Sequence, residues 1–146
     1  MSAQPDLVSL YSAALLELAS SLPETRPAQS LGAAARRGYA RSPQCGSSVE
    51  LHVVMDDDGI AELSHTVRAC ALGQAAASAV AQAAVGADLP QITLARTQLE
   101  AMLTQDGPTP QAPFEKLELL RAAREFKNRH ASILLYLKAL ETAMQP

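Results

Sequence analysis

The 146-residue sequence predicts an α+β domain, a small antiparallel sheet with helices stacked on one face. Three observations carry that prediction. Residues 49–55 alternate Val49, Leu51, Val53 and Met55 against Glu50, His52 and Val54, the period of a half-buried strand. Asp56-Asp57-Asp58-Gly59 follows with turn chemistry, and residues 60–68 return with Ala61, Leu63, His65 and Val67 on one face. On both sides of this hairpin the apolar spacing changes to that of a helix.

Taken in order, residues 5–21 carry Leu7, Leu10, Tyr11, Ala14, Leu15 and Leu18 as one apolar stripe, an amphipathic helix that Pro23 and Pro27 end. Residues 31–40 read as a short strand, and the hairpin follows. Residues 71–85 are rich in Ala and Ser, favour helix and allow a neighbouring element to approach closely, with Gly86 as the C-cap. Residues 90–104 give another helix through Ile92, Leu94, Ala95, Leu99, Met102 and Leu103. The run 106–113, with three prolines, is a loop. Residues 114–124 and 128–144 close the chain as helices, continuous or kinked, which makes four to five helices in all. No repeat or linker divides the chain, so residues 1–146 form a single domain of ordinary size.

Composition narrows the function classes. A hydrophobic content of 48% with 18% charged residues describes a globular protein. With no Trp, the core is built from Leu, Val, Ile and Ala. A net charge of −3 argues against nucleic acid as the main partner. No run approaches the roughly 18 apolar residues of a membrane span, and no basic and apolar leader opens the sequence. A cytoplasmic location is therefore expected, where the two cysteines, Cys45 and Cys70, stay reduced rather than bridged.

These cysteines are the main chemical signal. Cys70 sits where a strand pattern gives way to a helix. Unpaired N–H groups there stabilise a thiolate, with Arg68 two residues away. Read alone, it is equally a small buried hydrophobe at a junction. Cys45 stands in Ser42-Pro43-Gln44-Cys45-Gly46, a loop able to fold around a ligand. His65 shares the Leu63/Val67 face and reads as a core histidine, His52 as a solvated one. His130, near the start of the last helix, is either a ligand or an ordinary residue of the helix start. The aspartate run lacks the spacing and terminal Glu of a calcium loop, so it is a hairpin turn. No nucleophile elbow, phosphate loop or dinucleotide fingerprint is present, and no enzyme class fits.

Together these residues resemble a known family. A Cys-Gly loop, a strand, Asp-Asp-Gly at a turn, a strand ending in Cys70-Ala71-Leu72-Gly73-Gln74-Ala75, and a Phe-x-x-Arg at Phe126 and Arg129 stand in the order found in iron–sulfur cluster assembly scaffolds of the NifU N-terminal domain, IscU and SufU type. The resemblance covers nearly the whole chain. It implies a three-stranded antiparallel sheet with a helical layer and, at one end, three cysteines and an aspartate. A [2Fe–2S] cluster is built there from sulfur supplied by a cysteine desulfurase, then passed to apo iron–sulfur proteins. By position Cys45 and Cys70 match the first two cysteines, Ser47 the aspartate and Ser132 the third cysteine. A cluster normally takes four ligands, mostly thiolates, and a serine oxygen binds iron less firmly than sulfur does. The resemblance therefore implies iron or a [2Fe–2S] cluster on Cys45 and Cys70. The remaining ligation falls to His130, His65, a partner's thiol or a homodimer sharing four cysteines. Two alternatives share the fold: a sulfur acceptor of the SufE type, and a zinc site, which Cys, Cys and His would suit.

Overall fold

The structure, a computed structural model, describes residues 11–44 and 46–146. Helix α1 (Ala13–Ala19) leads through a 3₁₀ turn (Ala28–Leu31) into strands β1 (Arg36–Arg41), β2 (Ser48–Asp56) and β3 (Gly59–Arg68). Helices α2 (Ala71–Ala81) and α3 (Leu89–Gln105) follow, then 3₁₀ segments at Glu115–Ala123 and Lys127–Arg129, and helix α4 (His130–Met144). The strands pair antiparallel in the order β1-β2-β3. The expected α+β architecture is the observed one. No helix among the described residues is long and apolar enough to cross a membrane.

The alternation of the hairpin decides which face of the sheet is covered. Val49, Leu51 and Val53 are almost fully buried and pair with Val67, His65 and Leu63, so all six face the helical layer. Asp57 and Asp58 form the turn, with the Asp58 N–H donating to Asp56 Oδ1 at 2.8 Å, and Gly59 takes φ +136°. On the opposite face lie Glu50, His52 and Ser64, crossed by the 3₁₀ turn, where Ser64 Oγ donates to the Arg26 carbonyl.

Helix α4 is the spine of the layer. Every residue from Ser132 to Leu137 is buried, with Ala139, Leu140, Ala143 and Met144 beyond them, because β1, β2, α2 and α3 all pack on it. Burying a Leu or Ile side chain in this way contributes about 1.5–3 kcal/mol. The approach to β1 depends on Gly38, where a Cβ would stand 2.1 Å from the Ala139 carbonyl oxygen. His65 is tied into the same core. Its Nε2 donates to the Pro23 carbonyl at 2.9 Å, which leaves Nδ1 to accept from the Tyr136 hydroxyl at 2.6 Å.

Several boundaries differ from expectation. Within the described residues the first helix begins only at Ala13, because the Ser12 hydroxyl accepts from the Leu15 N–H and caps it; Tyr11 lies outside, and residues 5–10 lie outside the described residues. Helix α2 stops at Ala81 rather than 85, and Gly86 (φ +94°) donates its N–H to the Ile60 carbonyl, lacing the loop to β3. Residues Glu115–Ala123 form a 3₁₀ helix, not an α-helix. The reason is visible in the chain: Phe114, Leu117, Leu120 and Ala123 are all buried at a strict spacing of three, the period of a 3₁₀ turn.

Candidate functional site

One end of the sheet collects three chain junctions. There β1 leaves into the loop that enters β2, β3 runs out into α2, and α4 begins. Cys70 is the N-cap of α2, extended at φ −65° and ψ 172°, so its side chain meets the first free N–H groups of that helix. Ser132 lies in the first turn of α4. Ser47 immediately precedes β2, in a loop pinched by the Ser42 N–H donating to the Ser47 carbonyl (2.8 Å) and the Gly46 N–H donating to the Ser42 carbonyl (3.1 Å).

These three side chains form a contiguous row. Cys70 Sγ is 3.7 Å from Ser132 Oγ, and Ser132 Oγ donates to Ser47 Oγ at 3.1 Å. Both hydroxyls are buried, at 1% and 4% exposure, while the thiol is half-buried. Gly73 makes the close approach possible, since a Cβ there would stand 2.5 Å from Ser132 Oγ and 2.8 Å from Ala69 Cβ.

The surroundings favour a thiolate. Burial pushes the Cys70 thiol up, but the Gly73 N–H, the Ser132 hydroxyl, the Leu72 N–H and the Arg129 side chain act against it and prevail, leaving it below an ordinary cysteine. Outward, Cys70 opens onto a depression of about 400 Å³ lined by Gly46, Ser47, Arg68, Ala69, Gln74 and Arg129. Among the described residues it carries two arginines and no carboxylate.

Of the residues that sequence reasoning singled out, Cys70, Ser132 and Ser47 are brought together. Cys45 lies outside the described residues. His130 faces a different depression, with Leu103, Thr104, Arg124, Glu125 and Lys127, and its Nε2 donates to the carbonyls of Ala123 (3.1 Å) and Arg124 (3.0 Å). His65 has both ring nitrogens engaged in the core. Among the described residues no cluster of three or more His, Cys, Asp or Glu side chains is poised for a metal ion. Sequence reasoning did not place Gly73 and Arg129 at the site. Their positions were a signal: Gly73 follows Cys70 by three residues, and Arg129 precedes Ser132 by three, one helical turn in each case.

Comparison with known proteins agrees with the fold. The family model described as the NifU-like N terminal domain matches residues 24–132. No curated protein matches the sequence. Among solved structures, a nitrogen-fixing NifU-like protein (N-terminal) from Brucella abortus is similar at 30% identity and a TM-score of 0.82, with 92% of each chain covered. A putative iron–sulfur cluster assembly scaffold protein for the SUF system from Fervidobacterium islandicum AW-1 shares the fold at 17% identity and a TM-score of 0.75, covering 93% of this chain and 97% of that one.

Proposed function

The chain belongs to the NifU-like N-terminal domain family, and from that premise we propose that it works in iron–sulfur cluster assembly, holding iron or a nascent [2Fe–2S] cluster as cargo on Cys70 and Cys45. The observation that carries this reading is the row Cys70–Ser132–Ser47, with 3.7 Å and 3.1 Å steps. The described positions that resemblance assigned to the site come together although they are 85 residues apart at the extremes.

The donor chemistry shapes the proposal. Cys70 is the soft anionic ligand of the described site, and Cys45 the second thiol of the chain. Ser132 and Ser47 stay protonated at neutral pH and bind iron weakly, so their part is to hydrogen-bond and orient the sulfur. His130 is left out of the ligand set because its Nε2 is held by backbone carbonyls in another depression. Two thiols fall short of the four ligands of a [2Fe–2S] cluster. The others come from outside the chain, from a second copy or from a client apo-protein, which suits cargo held for transfer. The sulfur donor in this reading is a cysteine desulfurase.

Anaerobic reconstitution with iron and sulfide is the test. It is expected to give a charge-transfer absorbance that Cys70→Ser and Cys45→Ser each abolish. A colourless protein, alone and with a desulfurase present, would exclude the reading. A second reading, sulfur acceptance without metal, is favoured by the half-exposed, thiolate-stabilised Cys70 beside Arg129. It predicts a persulfide mass on one cysteine with the other dispensable. Zinc, which suits thiolate ligands, would compete for the same atoms.

A further inference from the structure

Although the chain is acidic overall, the two ends of its sheet carry opposite charge. Asp56, Asp57 and Asp58 stand exposed at the β2–β3 turn, and Asp88 lies near them, since Ala87 accepts from the Ile60 N–H. At the other end Arg41 pairs with Ser48 and Ser48 with Arg68, so both arginines occupy one row across the sheet. Their backbones lie about 10 Å apart, two strand spacings. Arg129 lines the depression beside Arg68 and Cys70.

The ion pairs make this asymmetry informative. Of the nine arginines, Arg26, Arg37, Arg96, Arg121 and Arg124 each pair with a carboxylate among the described residues. Arg36 donates to the Met144 carbonyl, away from the thiol. The three that remain without a carboxylate among the described residues, Arg41, Arg68 and Arg129, all stand at the thiol end. Like charges held together repel, and no carboxylate among the described residues pairs with them. A negatively charged surface laid over Cys70 would neutralise them, and the aspartates at the far end would orient its approach. A long polyanion fits poorly, since the net charge of −3 repels whatever extends beyond the patch.

We propose that Arg41, Arg68 and Arg129 form a cationic rim that docks an acidic face of the sulfur-donating desulfurase over Cys70. The inference rests on the assembly reading above and names where and how the donor binds.

The test measures association rates of the full chain with the purified desulfurase of the same organism, in low and high salt. The wild type is compared with Arg41→Glu/Arg68→Glu. Arg129 is left intact because it lines the depression beside the thiol. Each reversal changes the charge by −2, taking the chain from −3 to −7. The association rate of the double variant is expected to fall by about tenfold or more at low salt, with the gap closing as salt screens the charges. Arg41→Gln/Arg68→Gln, a milder change to two exposed side chains, is expected to fall in between. Far-UV circular dichroism checks that all three chains are folded. Equal rates for folded wild type and variants, no binding by the wild type, or tighter binding of the wild type to single-stranded DNA or phosphatidylserine vesicles than to the desulfurase would each overturn the rim. Cluster formation from iron and inorganic sulfide needs no donor, so it reports separately on the assembly reading.

Discussion

Replacing Ser132 by Cys puts a second thiol where a hydroxyl now stands 3.7 Å from Cys70 Sγ. Two thiolates bound to one tetrahedral ion at about 2.3 Å each lie about 3.8 Å apart. The native separation therefore already matches the bite of a single metal ion. The larger sulfur is accommodated because the facing residue, Gly73, has no Cβ. Structural zinc sites with four ligands bind with roughly 10–16 kcal/mol, or about 2.5–4 kcal/mol for each ligand. At about 1.4 kcal/mol for each factor of ten, Ser132→Cys is expected to tighten Zn²⁺ binding by about 10²–10³-fold. Anaerobic competition against a chromophoric chelator measures this, and cobalt substitution gives a sulfur-to-metal band as a second readout. The same variant should lengthen the life of the reconstituted iron–sulfur chromophore. An affinity within a few-fold of wild type, in a variant that keeps its circular dichroism spectrum, would refute the shared-ion geometry.

Three further outcomes concern the scaffold that holds the site. Gly38→Ala drives a Cβ to 2.1 Å from the Ala139 carbonyl oxygen and 2.9 Å from Ala143, which forces β1 away from α4. It should cost about 2–3 kcal/mol and lower Tm by about 5–10 °C; an unchanged melt would show that the helix does not press on the strand there. Tyr136→Phe keeps the ring but leaves His65 Nδ1 without its donor, an expected loss of about 1–3 kcal/mol read by denaturant unfolding, and no loss would mean the pair contributes nothing. Burial holds the His65 pKa below its ordinary value against the opposing Pro23 carbonyl, so between the two values the unfolded chain binds more protons. His65 thus contributes stability that is complete above about pH 6.5 and lost as pH falls toward the depressed folded value. Unfolding free energies measured across that range should show a fall that His65→Leu flattens; an identical fall in both chains would assign it to other groups.

Much of the fold was legible because its signals are local. The alternation from Val49 to Val53 and the return through Leu63, His65 and Val67 fixed the buried face of the hairpin, and the aspartates with Gly59 fixed its turn; a register shift at Val54/Met55 puts Ile60, rather than the expected Ala61, against the core. Helix α3 ends where expected because its stop is written in the chain: Asp106 takes a left-handed conformation just before a Pro-rich loop. The misjudged segments are those where one local signal hid another. Phe114, Leu117, Leu120 and Ala123 look like one face of an α-helix until their strict spacing of three is noticed. The Leu7–Leu18 stripe drew attention from Ser12, whose capping hydroxyl sets the start of the helix. The site was legible only in part for a different reason. Resemblance placed Ser47 and Ser132 beside Cys70, but the direction of the His130 ring depends on the backbone of the 3₁₀ segment before α4. Nothing in the composition of Arg129-His130-Ala131 reports that.

The row of one thiol and two hydroxyls changes the electrostatics of the site as well as its ligand count. A carboxylate at position 47 and a thiolate at 132 would each add negative charge beside Cys70, while Ser47 and Ser132 add none. Arg68 and Arg129 remain, so the depression faces outward with an excess of positive charge. Arg129 and Arg68 line the depression beside Cys70, and neither pairs with a carboxylate among the described residues. An incoming anionic group, whether a sulfur-bound cargo or an acidic partner surface, therefore meets attraction that a fully anionic ligand set would have cancelled. In the proposed role, fewer thiolates would weaken the grip on metal, and the arginines would favour the approach of an acidic partner. Those two effects have the same sign for a site that receives cargo and gives it up. They have opposite signs for a site that stores metal permanently, and Ser132→Cys is the substitution that should move this chain from the first kind toward the second.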